Sequence, residues 1–151
     1  MRRMTLLIAA LTVVAAACSS DTIDTGTTPG TGLPESPERC EVVDQQVLDY
    51  LQTGIVIDGL QLEWGFSVKS TDYPDVWIVA AGVKGPDDED FATWAIRAGN
   101  WPTDYVGVVS VDEIAMTISS WGEQTDVIVT PATSGVKSAE SCAIAKLDSG
   151  A

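Results

Sequence analysis

Three cysteines, a run of four acids and one serine–lysine pair are the residues of this chain best suited to chemistry, and no histidine stands with them. Without histidine the usual nitrogen ligand for zinc, the usual general base and the usual near-neutral pH switch are all missing. Asp87-Asp88-Glu89-Asp90 is the densest charge run. Clustered carboxylates suit a hard cation such as calcium, but the alternating acids, central glycine and distal glutamate of a calcium loop are absent. Adjacent acids between two apolar runs are what a solvated hairpin tip carries. Ser134 and Lys137 have the spacing of a serine nucleophile and its lysine base. No lysine-threonine-glycine strand completes such a site, so the pair reads as a helix start with a solvated lysine. Of the 22 acids, none forms a pair set apart by spacing as the acid and base of a glycosidase. No catalytic residue, cofactor or metal is expected.

The five tryptophans are the other expressive feature. Trp64, Trp77 and Trp121 fall on apolar faces and read as packing. Trp94 can project from either side of its strand. Trp101 lies in Asn100-Trp101-Pro102-Thr103-Asp104-Tyr105, beside a second aromatic. If exposed, Trp101 and Tyr105, with Trp94, form a binding platform for a sugar ring, an apolar ligand or a partner's hot spot. If the loop folds back, Trp101 instead caps the core. The sequence leaves both open.

The elements that must position these residues follow from hydrophobic periodicity. Ser36-Pro37 has the chemistry of a helix start, and Cys40, Val43, Val47, Tyr50, Leu51 and Gly54 recur at three- and four-residue steps. This predicts a first helix of about four turns that ends at Gly54. Leu62, Trp64, Phe66 and Val68 alternate with polar or small residues, as in a half-buried strand. Val76 to Val83 is continuously apolar, as in a strand covered on both faces. Phe91 to Arg97 reads as a third strand, and Ala98 to Val109 as a loop. Ser110 and Glu113 have capping-box spacing ahead of Val111, Ile114, Ala115, Ile118 and Trp121. Val127 to Thr130 reads as extended, and Ser134 to Leu147 as a last helix. The expected fold is α+β: a three-stranded antiparallel meander with one N-terminal and two C-terminal helices, in the order α-β-β-β-α-(extended)-α.

Length, charge and the N-terminus bound the rest. The 151 residues suit one ordinary domain, and 22 acidic against 8 basic side chains give a formal charge of −14. Such a chain repels phosphate backbones, so nucleic acid is excluded as a partner. Arg2-Arg3 precede an uncharged stretch, Thr5 to Ala17, too short to span a bilayer but suited to a signal peptide. The flanking residues do not make a twin-arginine signal. The stretch ends in Ala15-Ala16-Ala17-Cys18 and resembles the lipobox of bacterial lipoproteins, although Ala15 stands where that family most often has leucine. The resemblance implies cleavage before Cys18, diacylation of its sulfur, and a lipid anchor on the extracytoplasmic face of the cell membrane. An ordinary secretory signal with Cys18 as a spare thiol is the alternative, and the odd cysteine count speaks against it. With Cys18 acylated, Cys40 and Cys142 remain as a disulfide pair, reasonable chemistry for an exported domain.

Cleavage removes two arginines and no acid, so the charge moves from −14 to −16. Residues 18–35 are dominated by Thr, Ser, Gly and Pro. They are expected to form a disordered tether reaching about 20–25 Å, ahead of a single domain at 36–148. From Cys40 onward the chain resembles small exported lipoproteins of high-GC Gram-positive bacteria. The resembling residues are Val79-Ala80-Ala81, Thr93-Trp94-Ala95, Ser120-Trp121, Cys40 and Cys142. That resemblance brings placement and no catalytic residues. The expected function is a non-enzymatic binding or interaction module whose partner is an envelope protein, a glycan or a small ligand. A small-ligand carrier with an apolar pocket is the second expectation, and a carboxylate hydrolase the third.

Overall fold

The computed structural model describes residues 40–86, 88–122 and 128–150. The leader 1–17, the tether 18–35 with Cys18, the expected helix start at Ser36-Pro37, Asp87 of the acidic run and Val127 lie outside the described residues.

The expected three-stranded meander is corrected to a five-stranded antiparallel sheet. Its strands are β1 (Glu41–Val42), β2 (Gln61–Lys69), β3 (Val76–Lys84), β4 (Glu89–Asn100) and β5 (Thr103–Ser110), paired in chain order. Three helices accompany them: α1 (Gln45–Gln52), α2 (Glu113–Ile118) and α3 (Val136–Ser149). Two expectations fail for identifiable reasons. The segment 98–109 is not a loop, because β4 runs on to Asn100 and β5 returns beside it. Pro102, Asp104 and Gly107 made it look like turn sequence. Yet Pro102 occupies the hairpin tip, Asp104 adopts φ 55° beside a register shift in β4, and Gly107 pairs with Arg97.

The first helix is also shorter than its periodicity suggests. Glu41 and Val42 pair with Ser67 and Phe66, so Cys40 precedes a strand instead of opening a helix. The capping residue of α2 is Asp112, whose Oδ1 accepts from the Ala115 amide at 2.7 Å; Ser110 instead donates to the Trp121 carbonyl at 2.7 Å.

The sheet is covered on both sides. Over one face, Val47, Leu48 and Leu51 of α1 with Ala115 and Ile118 of α2 pack on Val79, Trp94, Ile96 and Val108. Over the other, Val136, Ala139 and Ala143 of α3 pack on Val68, Ile78, Ala80 and Ala95. This explains the unbroken apolar run of β3, whose alternate side chains serve two cores. Alanines on both partners bring α3 close to the sheet. Cys40 and Cys142 are joined as a disulfide, with Cα atoms 6.6 Å apart across 102 residues, and so fasten the chain before β1 to the middle of α3.

One edge of the sheet is finished by a side chain. Beyond the reach of the two-residue β1, the Gln52 amide donates to the Leu60 carbonyl at 3.0 Å and accepts from the Leu62 amide at 2.9 Å. A single side chain thereby satisfies two backbone groups that a neighbouring strand would otherwise take.

Candidate functional site: an aromatic seam on the α1 and α2 face

The structure brings Trp101 and Tyr105 together and adds three aromatic residues to them. The β4–β5 hairpin tip folds toward α1, held there by a 3.0 Å hydrogen bond from the Gln46 amide to the Pro102 carbonyl. Trp101 stacks on Trp77 with ring centroids 5.1 Å apart and planes only 6° apart. Its edge meets Tyr105 at 6.4 Å and 70°. Tyr105 stacks on Tyr50 of α1 at 4.2 Å, and Tyr50 leans on Trp121 at 5.3 Å. The five rings make one seam, Trp77–Trp101–Tyr105–Tyr50–Trp121, each partly buried and each with part of its surface open to solvent. At the Trp77 end, Lys69 Nζ sits 5.0 Å over the indole as a cation–π cap.

The seam is anchored from below. The Trp121 indole donates to the Leu51 carbonyl at 3.0 Å. It lies so close over Gly54 that an added Cβ would sit 2.2 Å from the ring. The segment after α1 is stitched to the end of α2 through the Val56 amide and Ile118 carbonyl at 2.9 Å and the Ser120 amide and Gly54 carbonyl at 2.8 Å. Around these bonds, Val56 (60%), Ile57 (42%) and Met116 (61%) expose apolar side chains.

The Tyr105 hydroxyl is shielded from solvent and has no hydrogen-bond partner. Burial, followed by the negative charge of Asp44 and the neighbouring Tyr50, pushes its pKa above the ordinary value of 10.0. Tyr105 is therefore held as a neutral phenol at ordinary pH.

Trp94, offered by the sequence as part of a platform, is corrected to a core residue. It is 0% exposed, and its indole donates to Ser119 Oγ at 3.2 Å. Trp77 and Trp121, read as core, instead keep open surface and join the seam. Trp64 also stays partly exposed, lying over Gly82 and donating to Glu89 Oε1 at 2.8 Å. Glu89 of the acidic run thus holds an indole. Ser134 faces Thr71, Oγ to Oγ1 at 2.6 Å, with its amide on Asp72 Oδ2 at 2.8 Å, while Lys137 points to solvent. Among the described residues, no three Cys, Asp or Glu gather as metal ligands would.

Tyr50 was hidden from sequence reasoning because its helical spacing assigned it to the core. Its stacking partner is 55 residues away, and no periodicity reports such a contact. Neither a protein-family model, nor a curated protein, nor a solved structure matches this chain.

Proposed function

We propose that the protein is a lipoprotein held by an acylated Cys18 on the extracytoplasmic face of the cell membrane, with the domain acting as a non-enzymatic binding module. The observation that carries the binding reading is the aromatic seam beside Val56, Ile57 and Met116, a run of partly open aromatic and apolar side chains on one face. Partner surfaces concentrate their binding energy on such aromatic anchors. The anchor reading is supported by the cysteine count. With Cys40 and Cys142 bonded to each other, Cys18 is the one cysteine left in the sequence. The acidic domain adds no attraction to anionic lipid, so acyl chains supply the membrane affinity.

Photo-crosslinking in native envelope tests the binding face. Benzoylphenylalanine at Met116 is expected to capture a discrete partner, and Trp101→Ala to reduce the yield severalfold. An unchanged yield from folded Trp101→Ala overturns the assignment. Cys18→Ser is expected to move the protein from the membrane fraction to the soluble one, and continued membrane retention overturns the anchor.

A further inference from the structure

The acids of the described domain are spread over every layer, whereas its cations are confined to some of them. No Lys or Arg occurs between Cys40 and Val68, nor between Ala98 and Val136. Those two stretches include the whole of α1, β5, α2 and the segment stitched to the end of α2, together with β1 and most of β2. Asp44, Asp49, Asp58, Asp104 and Glu113 are exposed on them. The described cations lie elsewhere. Lys137 and Lys146 are on α3, Lys84 is paired with Glu63, and Arg97 is paired with Asp75. Lys69 is the one described cation at the seam, and it covers its Trp77 end.

The seam therefore lies in a surface that is aromatic and aliphatic at its centre and, apart from Lys69 at its Trp77 end, bordered by α1, β5 and α2, which carry acids and no cation. Resting on the binding face proposed above, we infer that its partner is a basic amphipathic protein segment, with apolar side chains that meet the seam and Lys or Arg side chains that meet the surrounding carboxylates. Charge complementarity selects this occupant over the others. A second copy of the chain, an anionic lipid surface and a nucleic acid each bring like charge. A sugar ring needs a free aromatic face. In this seam Trp77 is occupied by both the stacked Trp101 ring and the Lys69 ammonium, while Tyr50 and Tyr105 cover each other. Exposed Val56, Ile57 and Met116 add aliphatic surface, which suits leucine-like contacts flanked by cations.

The test uses the full-length protein in neutral detergent, titrated by calorimetry with three probes. These are an amphipathic leucine–lysine peptide, its leucine–glutamate counterpart and a neutral N-acetylglucosamine oligomer. Only the lysine peptide is expected to bind, with affinity falling about tenfold or more as salt rises from about 50 to 300 mM. Asp44→Asn, Asp58→Asn and Asp104→Asn together should weaken it roughly tenfold. The same charge change made away from the seam, at Asp88, Asp90 and Asp148, should leave it within about twofold. All six sites are exposed, and circular dichroism verifies the fold. Equal losses from the two triple variants mean attraction to net charge alone and overturn the inference. Binding of the oligomer but not the lysine peptide, lost in Trp101→Ala, overturns the basic partner while leaving the binding face standing. Failure of every probe, with unchanged crosslinking in Trp101→Ala, overturns both.

Discussion

Tyr50 on α1 and Tyr105 on β5 lie face to face, with ring centroids 4.2 Å apart and planes 20° apart. This contact ties the first helix to the last strand of the sheet. A double-mutant cycle with Tyr50→Leu and Tyr105→Leu, read by urea denaturation, should give a coupling of about 0.5–1.5 kcal/mol. Additive losses would show that each ring merely fills space.

The Tyr105 hydroxyl has neither solvent nor a partner. Tyr105→Phe keeps the stack and deletes the stranded group. It should raise stability by about 1 kcal/mol, since an unsatisfied buried polar group costs about 1–3 kcal/mol. A loss of stability in urea denaturation would mean that the hydroxyl is satisfied in solution.

Gly54 and Gly82 are each covered by an indole, from Trp121 and Trp64 respectively, with 2.2 Å between the ring and an added Cβ. No other residue fits there without moving the ring. Gly54→Ala should destabilise by about 1–3 kcal/mol and change Trp121 emission, because this indole also reports the seam. Gly82→Ala should carry a similar cost yet leave seam contacts intact, since Trp64 packs on the α3 side. Chemical denaturation with tryptophan fluorescence separates the two.

Glu140 on α3 has its pKa raised above 4.5, first by burial and then by Asp112. Between its unfolded and its higher folded pKa, the folded protein holds a proton that the unfolded chain has released. Stability from this group therefore falls as pH rises through that window, and the penalty is full above it. Glu140→Gln should stabilise the domain at neutral pH by less than about 1 kcal/mol, because solvent screens a partly exposed group, and the gain should vanish below about pH 4. Thermal melts across that range check the sign.

The disulfide closes a loop of 102 residues. Cys40→Ser with Cys142→Ala should lower unfolding free energy by about 3–5 kcal/mol in urea melts if constraint of the unfolded chain dominates. A loss below about 1 kcal/mol would place its value in native-state geometry alone.

Several elements were legible in the sequence because their information is local. Alternation from Leu62 to Val68 located β2, and the apolar run from Val76 announced a strand with two covered faces. β5 was missed because its identity depends on pairing with β4, while Pro102, Asp104 and Gly107 each carry turn chemistry when read alone. Cys40 to Val43 kept helical spacing, yet their backbone goes to β2. The order of the rings in the seam was not legible at all. Trp77 meets Trp101, and Tyr50 meets Tyr105, only once the hairpin tip has folded toward α1.

The disulfide has a mechanical consequence as well. Any pull along the chain from before residue 40 enters the described fold at Cys40. The next element, β1, has two residues paired with β2 and would unzip bond by bond under such a load. The covalent link sends part of the load to Cys142, near the centre of the fourteen-residue α3, which packs on Val68, Ile78, Ala80 and Ala95. A load entering at Cys40 is thus shared between a two-residue strand and a helix seated on the core, on the face opposite the seam.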